Sequence, residues 1–202
     1  MQSIDSLPAQ TGRATTRGGL PEVVVIIPAL NEREALPLVL HDLPPVGCVI
    51  VVDNGSTDGT GRVANQLGAH VVREDRRGYG QACLSGIEEI EVLCQQGMPT
   101  PEIVAFVDAD YGDHPELLQQ IVDPVRHGEV DFALGSRIEG TREVGAMPPQ
   151  SVWGNRLACL LMRILWGASF TDLGPMRAIR YSTLKSLQMC DRNYGWTVEM
   201  PV

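Results

Sequence analysis

Residues 48–60 read CVIVVDNGSTDGT: an apolar, β-branched run, a carboxylate at its tip, and a small-residue loop that ends where a helix can start. The same grammar recurs on either side. Residues 23–32 read VVVIIPALNE and residues 103–110 read IVAFVDAD, each an apolar run closed by polar side chains. Runs without polar alternation suit strands covered on both faces, and their alternation with helical stretches predicts an α/β fold, a mostly parallel sheet flanked by helices in a single domain. Strands are predicted at Val23–Ile27, Cys48–Val52, Ala69–Arg73, Ile103–Val107 and Asp131–Leu134. Helices are predicted near Ala35–Asp42, Thr60–Leu67, Gln81–Gln95 and Pro115–His127, with Pro37 and Pro115 in first turns, where a missing N–H costs little. Past Leu134, residues 135–150 read as a loop, followed by a helix over Val152–Trp166, a short piece interrupted by Gly and Pro, and a helix near Ser182–Met189. The stretch Trp196–Val202 is apolar with nothing after it to pack against, so the end reads as a C-terminal truncation.

A chain of 202 residues is about 1.3 times a typical domain, and 44% hydrophobic with 20% charged residues is enough for an ordinary core. The 16 basic against 25 acidic residues give a net charge of -9, the wrong sign for gripping a nucleic-acid backbone. The cysteines, Cys48, Cys83, Cys94, Cys159 and Cys190, are odd in number and never two residues apart, which argues for free thiols in a reducing, cytoplasmic setting. Residues 1–20 lack the apolar centre of a secretory signal and read as a disordered leader ahead of a domain at 21–202. The longest apolar stretch, Leu157–Phe170, contains Arg163 and is shorter than the roughly 20 residues a bilayer crossing needs, so no transmembrane segment is expected.

The chemistry gathers after the strands. Asp108-Ala109-Asp110 follows an apolar run, and residues two apart in extended chain share a face, so both carboxylates are expected to project together and to need a cation. Hard oxygen donors with open positions suit Mg²⁺ or Mn²⁺; a solvated loop is the plain alternative. Asp53 at the next strand tip can accept from a base or ribose, while Ser56, Thr57 and Asp58 read as caps for the following helix. Arg73-Glu74-Asp75-Arg76-Arg77-Gly78-Tyr79-Gly80 sets arginines beside flexible glycines, fit for a diphosphate or simply a charged loop. Pro28-Ala29-Leu30-Asn31-Glu32 stands where a dinucleotide fold or a P-loop would carry its glycines, so neither of those cradles is present. Asn54-Gly55-Ser56 matches a glycosylation sequon that a cytoplasmic chain leaves idle, and Asn65 stands where a calcium loop needs Glu. The histidines, His41, His70, His114 and His127, show no ligand spacing, and no serine sits in a nucleophile elbow; His114 reads as a surface residue at a helix start.

Taken together, the chain from Val23 onward resembles the family 2 glycosyltransferases of the GT-A, Rossmann-like fold. Pro28-Ala29-Leu30-Asn31-Glu32 is similar to the family's P-x-x-N-E, residues 53–60 to its D-[DN]-[GS]-S-x-D-x-T, and Asp108-Ala109-Asp110 stands where its DxD metal motif belongs. The resemblance implies a nucleotide-diphosphate sugar donor, with Pro28, Leu30, Asn31, Glu32, Asp53, Gly55, Arg77, Gly78, Asp108 and Ala109 around it, Asp110 and Asp108 on Mg²⁺ or Mn²⁺, and UDP as the favoured nucleotide over GDP. Gly135-Ser136-Arg137, Asp172-Leu173-Gly174-Pro175-Met176-Arg177 and Tyr194 to Met200 look like the dolichyl- or polyprenyl-phosphate sugar synthase branch and its bacterial relatives. That implies a lipid-phosphate acceptor, a place on the cytoplasmic face of a membrane, and Arg137 and Arg177 facing phosphates. In that branch a Gln follows the DxD by two residues; here Gly112 stands there, with Asp113 next.

Family members invert the anomeric carbon by direct displacement. A hydroxyl acceptor would need a base, for which Asp172 is the first candidate and Glu199 the second; a phosphate acceptor needs none. The helix over Val152–Trp166 carries Leu157, Leu160, Leu161, Ile164 and Leu165 on one face, for a core or, with Trp153 and Trp166, for a membrane surface. Two other readings stay open: a sugar-1-phosphate nucleotidyltransferase, which would consume nucleoside triphosphate, and a nucleotide-sugar-binding remnant without turnover.

Overall fold

The computed structural model describes residues 19–135, 174, 176–193 and 195–200. The chain runs β1 (Leu20–Ala29), α1 (Leu36–Asp42), β2 (Val46–Asp53), α2 (Thr60–Gln66), β3 (His70–Arg73), α3 (Tyr79–Gln95) and β4 (Ile103–Phe106). A 3₁₀ turn (Pro115–Leu117), α4 (Leu118–Arg126), β5 (Phe132–Leu134), β6 (Arg177–Arg180), α5 (Tyr181–Leu187) and α6 (Trp196–Glu199) complete it. One six-stranded sheet has the order β3-β2-β1-β4-β6-β5. β1 pairs in parallel with β2 and β4, and β2 with β3, while β6 is antiparallel to both β4 and β5.

Side chains of β1 alternate between two cores. Val23, Val25 and Ile27 join Leu36 and Val39 of α1 and Leu118, Val122 and Val125 of α4 on one face. Val24 and Ile26 join Ala82, Cys83 and Ile90 of α3, with Phe106, Tyr181, Leu184 and Trp196, on the other. This double burial is why the strands read as unbroken apolar runs. Pro37 and Pro115 sit in first turns, and left-handed glycines at Gly68, Gly97 and Gly128 follow α2, α3 and α4.

Several expectations are corrected. Leu20, assigned to the leader, is fully buried in β1 and its N–H donates to Pro45 O at 2.7 Å. The piece after Gly174 is a strand, β6, inserted between β4 and β5; Arg177 and Arg180 at its ends hid it, and Arg180 is held by Asp131 at 2.9 Å. Trp196 does not hang free: it is fully buried, with ring centroids 4.7 Å from Phe106 and 5.9 Å from Tyr79. The expected helix over Val152–Trp166 lies outside the described residues. No described helix is long and apolar enough to cross a membrane.

Candidate functional site

Because β1, β2, β3 and β4 are parallel, their carboxyl ends share one edge of the sheet, and the winding reverses between β1 and β4. Ligands of open α/β sheets bind in the crevice at such a reversal. All the motif loops leave from this edge: 30–35 after β1, 54–59 after β2, 74–78 after β3 and 107–114 after β4.

The first two loops are sewn together. Asn31 takes a left-handed backbone, φ 59°, a conformation Asn tolerates better than most side chains. Its N–H donates to Ser56 Oγ at 3.0 Å, and its Oδ1 accepts from Thr57 N at 2.9 Å. Glu32 N donates to Thr60 Oγ1 at 2.9 Å and Arg33 N to Asp58 Oδ2 at 3.1 Å. Of the three expected caps, only Asp58 serves the start of α2, accepting from Thr60 N at 2.9 Å; Ser56 and Thr57 bind the neighbouring loop instead. Leu30 stays 39% exposed beside them, and Pro28 is half-buried.

Asp53 is 7% exposed; its Oδ1 accepts from Ser56 N at 2.8 Å and its Oδ2 from Arg73 at 3.4 Å. Gly61 faces it so closely that a Cβ there would stand 2.7 Å from Asp53 Oδ2. Asn54, equally buried, ties the second loop to the third: its Nδ2 donates to Glu74 O at 3.1 Å and Arg76 O at 2.7 Å, and its Oδ1 accepts from Gly78 N at 3.0 Å. Arg77 reaches back to Gly55 O at 3.3 Å.

Glu74 anchors that third loop. Its carboxylate accepts from Arg76, from Ser85 Oγ at 2.6 Å and from Gln81 Nε2 at 2.9 Å. The Arg76 and Ser85 bonds hold its pKa down from 4.5 to about 2, against the burial that would raise it. A carboxyl depressed in the folded state stabilises above its unfolded value, and that stability fades as pH falls from about 4.5 toward 2. Glu74→Gln is therefore expected to be less stable than wild type at pH 7 and to show a flatter loss between pH ~5 and ~2. Urea midpoints across that range check it; parallel curves for the two proteins would refute it.

After β4 the expected alternation fails, because the strand ends at Phe106 and Ala109 and Asp110 lie in a turn. The turn keeps the carboxylates together by other means. Asp108 is half-buried and accepts from the Tyr79 hydroxyl at 2.9 Å; Asp110 is exposed and accepts from Gly112 N at 2.9 Å; Ala109 between them is buried. Tyr111 has φ 58°, rare for a bulky side chain, and its hydroxyl donates to Asp42. Burial raises the Glu32 carboxyl above its usual range, and Asp110, Asp58 and Asp108 push it the same way. Negative charge from three loops is thus concentrated at one point of the edge.

That donor set suits a hard divalent cation. No group of three or more His, Cys, Asp or Glu side chains forms a complete metal cage among the described residues. A cation here would take one or two carboxylates and complete its shell from phosphate and water, the habit of Mg²⁺ and of Mn²⁺ in its place.

Two further expected site residues, Arg177 and Glu199, are bound to the protein's own backbone. Arg177 is 1% exposed; its guanidinium donates to Thr197 O at 3.3 Å and Gly174 O at 3.2 Å and lies 5.4 Å over the Trp196 ring. Burial lowers its pKa, while Tyr79, Cys83, Asp108 and Asp113 favour its charge. It is buried and does not face solvent. Glu199 accepts from Cys190 N and Asp191 N, both at 2.9 Å. Burial alone would raise its pKa, but those amides outweigh it and leave Glu199 below its ordinary range, a weak base tied to a loop. Arg137 and Asp172 lie outside the described residues.

The sequence assigns no role to Asn54, Gly61, Glu74 or Tyr79, since what each does depends on how its loop folds against a neighbouring loop or helix. A hint existed for Glu74, a carboxylate between arginines and directly after a strand.

The family model described as Glycosyl transferase family 2 matches residues 24–187. An uncharacterized glycosyltransferase of Mycobacterium tuberculosis is 35% identical over 188 residues, covering 89% of this chain and 77% of that protein. The undecaprenyl-phosphate mannosyltransferase of Micrococcus luteus is 32% identical over 192 residues, covering 88% and 75%. Among solved structures, glucosyl-3-phosphoglycerate synthase from Mycobacterium tuberculosis superposes with a TM-score of 0.67 at 24% identity. The match covers 91% of this chain but only 64% of that one, so the chain spans less than two thirds of that structure's length. At that identity the likeness is one of fold.

Proposed function

The chain belongs to glycosyl transferase family 2 and has the GT-A fold, and we propose that it is an inverting hexosyltransferase moving a sugar from a nucleotide-diphosphate sugar to a polyprenyl phosphate. The observation that carries this reading is the gathering of Glu32, Asp58, Asp108 and Asp110 at the winding reversal, with the exposed Arg77 on the loop after β3. Pro28, Leu30, Asn31, Glu32, Asp53, Gly55, Arg77 and Gly78 receive the base, ribose and diphosphate. UDP is the favoured nucleotide, with GDP-mannose the rival.

Asp110 and Asp108 would hold Mg²⁺ or Mn²⁺, which when bound neutralises charge on the departing diphosphate. The chain's own residues supply position. Asp53, fixed by Ser56 and Arg73, sets the floor of the nucleotide site, and Arg77 brings an exposed positive charge to its rim. An acceptor phosphate oxygen forms a bond to the anomeric carbon as the bond from that carbon to the diphosphate breaks, and alignment on opposite faces does most of the work.

A phosphate acceptor is already anionic and asks for no base. The state of Glu199, holding two amides at a depressed pKa, supports that choice, as does the similarity to an undecaprenyl-phosphate mannosyltransferase. Such an acceptor places the reaction at the cytoplasmic face of a membrane, with the chain peripheral to it.

The test is transfer of radiolabelled sugar from UDP-glucose or GDP-mannose to a short polyprenyl phosphate in detergent, with the matching polyprenol as control. Label is expected in the phosphate acceptor alone, and only with Mg²⁺ or Mn²⁺. Label in the alcohol would require a base and overturn the acceptor assignment. Consumption of nucleoside triphosphate with sugar 1-phosphate would make the protein a nucleotidyltransferase, and nucleotide binding without turnover would make it a binding remnant.

A further inference from the structure

Helix α3 starts at Tyr79, and two of its first amides are satisfied from outside the helix: Gly80 N donates to Asn193 O at 3.2 Å and Gln81 N to Arg192 O at 2.9 Å. The contact is close, for a Cβ on Gly80 would stand 2.2 Å from Asp191 O and one on Gly78 2.2 Å from Arg192 O. The 190–193 segment is itself pinned. Glu199 accepts from Cys190 N and Asp191 N, and Asp191 Oδ1 accepts from Asn193 N at 2.8 Å and Trp196 N at 3.1 Å. At the other end, the Tyr79 hydroxyl donates to Asp108 Oδ1 at 2.9 Å while its ring meets the edge of Trp196. Arg177 in turn lies over the Trp196 ring.

A carboxylate in this position is pulled two ways. Glu32 repels the Asp108 carboxylate while the buried Arg177 guanidinium attracts it, so a fixed donor is needed to settle its orientation. A hydrogen bond from a fixed donor to an ionised oxygen is strong enough to decide the rotamer. We infer that Tyr79 is the positioning residue of Asp108, holding its carboxylate in the orientation that receives cation and diphosphate, and that Glu199 acts at the far end of the same chain of contacts by fixing the loop on which α3 is seated. Glu199, one of the two expected bases, thereby has a different part in the same site. The inference rests on the donor-site reading above.

The experiment titrates Mn²⁺ into the chain at saturating UDP, following the electron paramagnetic resonance of free Mn²⁺. Wild type, Tyr79→Phe, Glu199→Gln, Asp108→Asn and Tyr79→Phe/Asp108→Asn are compared, with UDP affinity measured separately without metal. Tyr79→Phe keeps the ring against Trp196 and removes only the hydroxyl. It is expected to weaken Mn²⁺ uptake about ten-fold or more, as loss of an outer partner does. Metal-free UDP affinity stays unchanged, and the loss disappears when Asp108→Asn is already present. Glu199→Gln, whose amide group faces a backbone donor, moves the same way by less. Unchanged Mn²⁺ uptake in Tyr79→Phe, or an equal loss in the Asp108→Asn background, overturns the inference while the donor site stands. Wild type that takes up no Mn²⁺ with UDP removes the donor-site reading and the inference with it. If Tyr79→Phe fails to fold, Glu199→Gln decides by the same criteria.

Discussion

Replacing Asp110 by Ala is expected to abolish metal-dependent nucleotide binding while leaving the fold as stable as before. Asp110 is exposed, its recorded hydrogen bond is to Gly112 N within its own turn, and it belongs to neither core. Surface changes of that kind usually stay within about 0.5 kcal/mol. Removing one carboxylate also relieves Glu32, whose pKa Asp110 helps to raise, so the thermal midpoint holds or rises. Binding goes the other way. Losing an outer partner of a metal site costs about 10–100-fold, and losing a direct oxygen donor costs more, so UDP affinity with Mn²⁺ is expected to fall by at least about 100-fold. Calorimetry beside thermal unfolding separates the two effects. A variant that melts early but still binds UDP with Mn²⁺ would make Asp110 a structural residue.

The second large effect is on stability. Trp196 is fully buried against Phe106 and Tyr79 and under Arg177, so Trp196→Ala removes an indole from the core and uncovers a buried guanidinium. Truncations of this size cost about 3–5 kcal/mol. Against a total of roughly 5–15 kcal/mol, that is a large share, and the urea midpoint should fall accordingly. Trp196→Phe is expected to keep most of the stability. The Trp196 Nε1 lacks a hydrogen-bond partner among the described residues, so Phe gives up ring area but no bond. Equal midpoints for Ala and wild type would mean that α6 does not contribute to the core.

The sheet up to β4 was legible because double coverage writes itself into sequence as unbroken apolar runs, whereas the strand order, and with it the winding reversal, depends on which strands pair and was not. β6 was not legible. Its four residues begin and end with arginine, and their pairing with β4 depends on a chain return from far along the sequence. Trp196 looked stranded for a related reason, since its partners Phe106 and Tyr79 are remote in sequence. The site divides the same way. Asp53, Asp108 and Asp110 announce themselves as carboxylates after strands, whereas Asn54 and Tyr79 act through bonds to other loops that no local pattern encodes. Asp108 and Asp110 do lie near one another, but a turn brings them together where strand alternation was expected to. Arg177 and Glu199 stood out as positions in the sequence, but what each side chain touches did not. Burial and backbone acceptors or donors fix what each side chain does, and neither is visible in one dimension.

The most direct test of the donor site is calorimetric titration of UDP, then GDP, into the purified chain with and without Mn²⁺. The account predicts tight binding of UDP with Mn²⁺, much weaker binding without it, and a clear preference between the two nucleotides. A folded chain that binds neither nucleotide, or binds both equally with and without the metal, would contradict it.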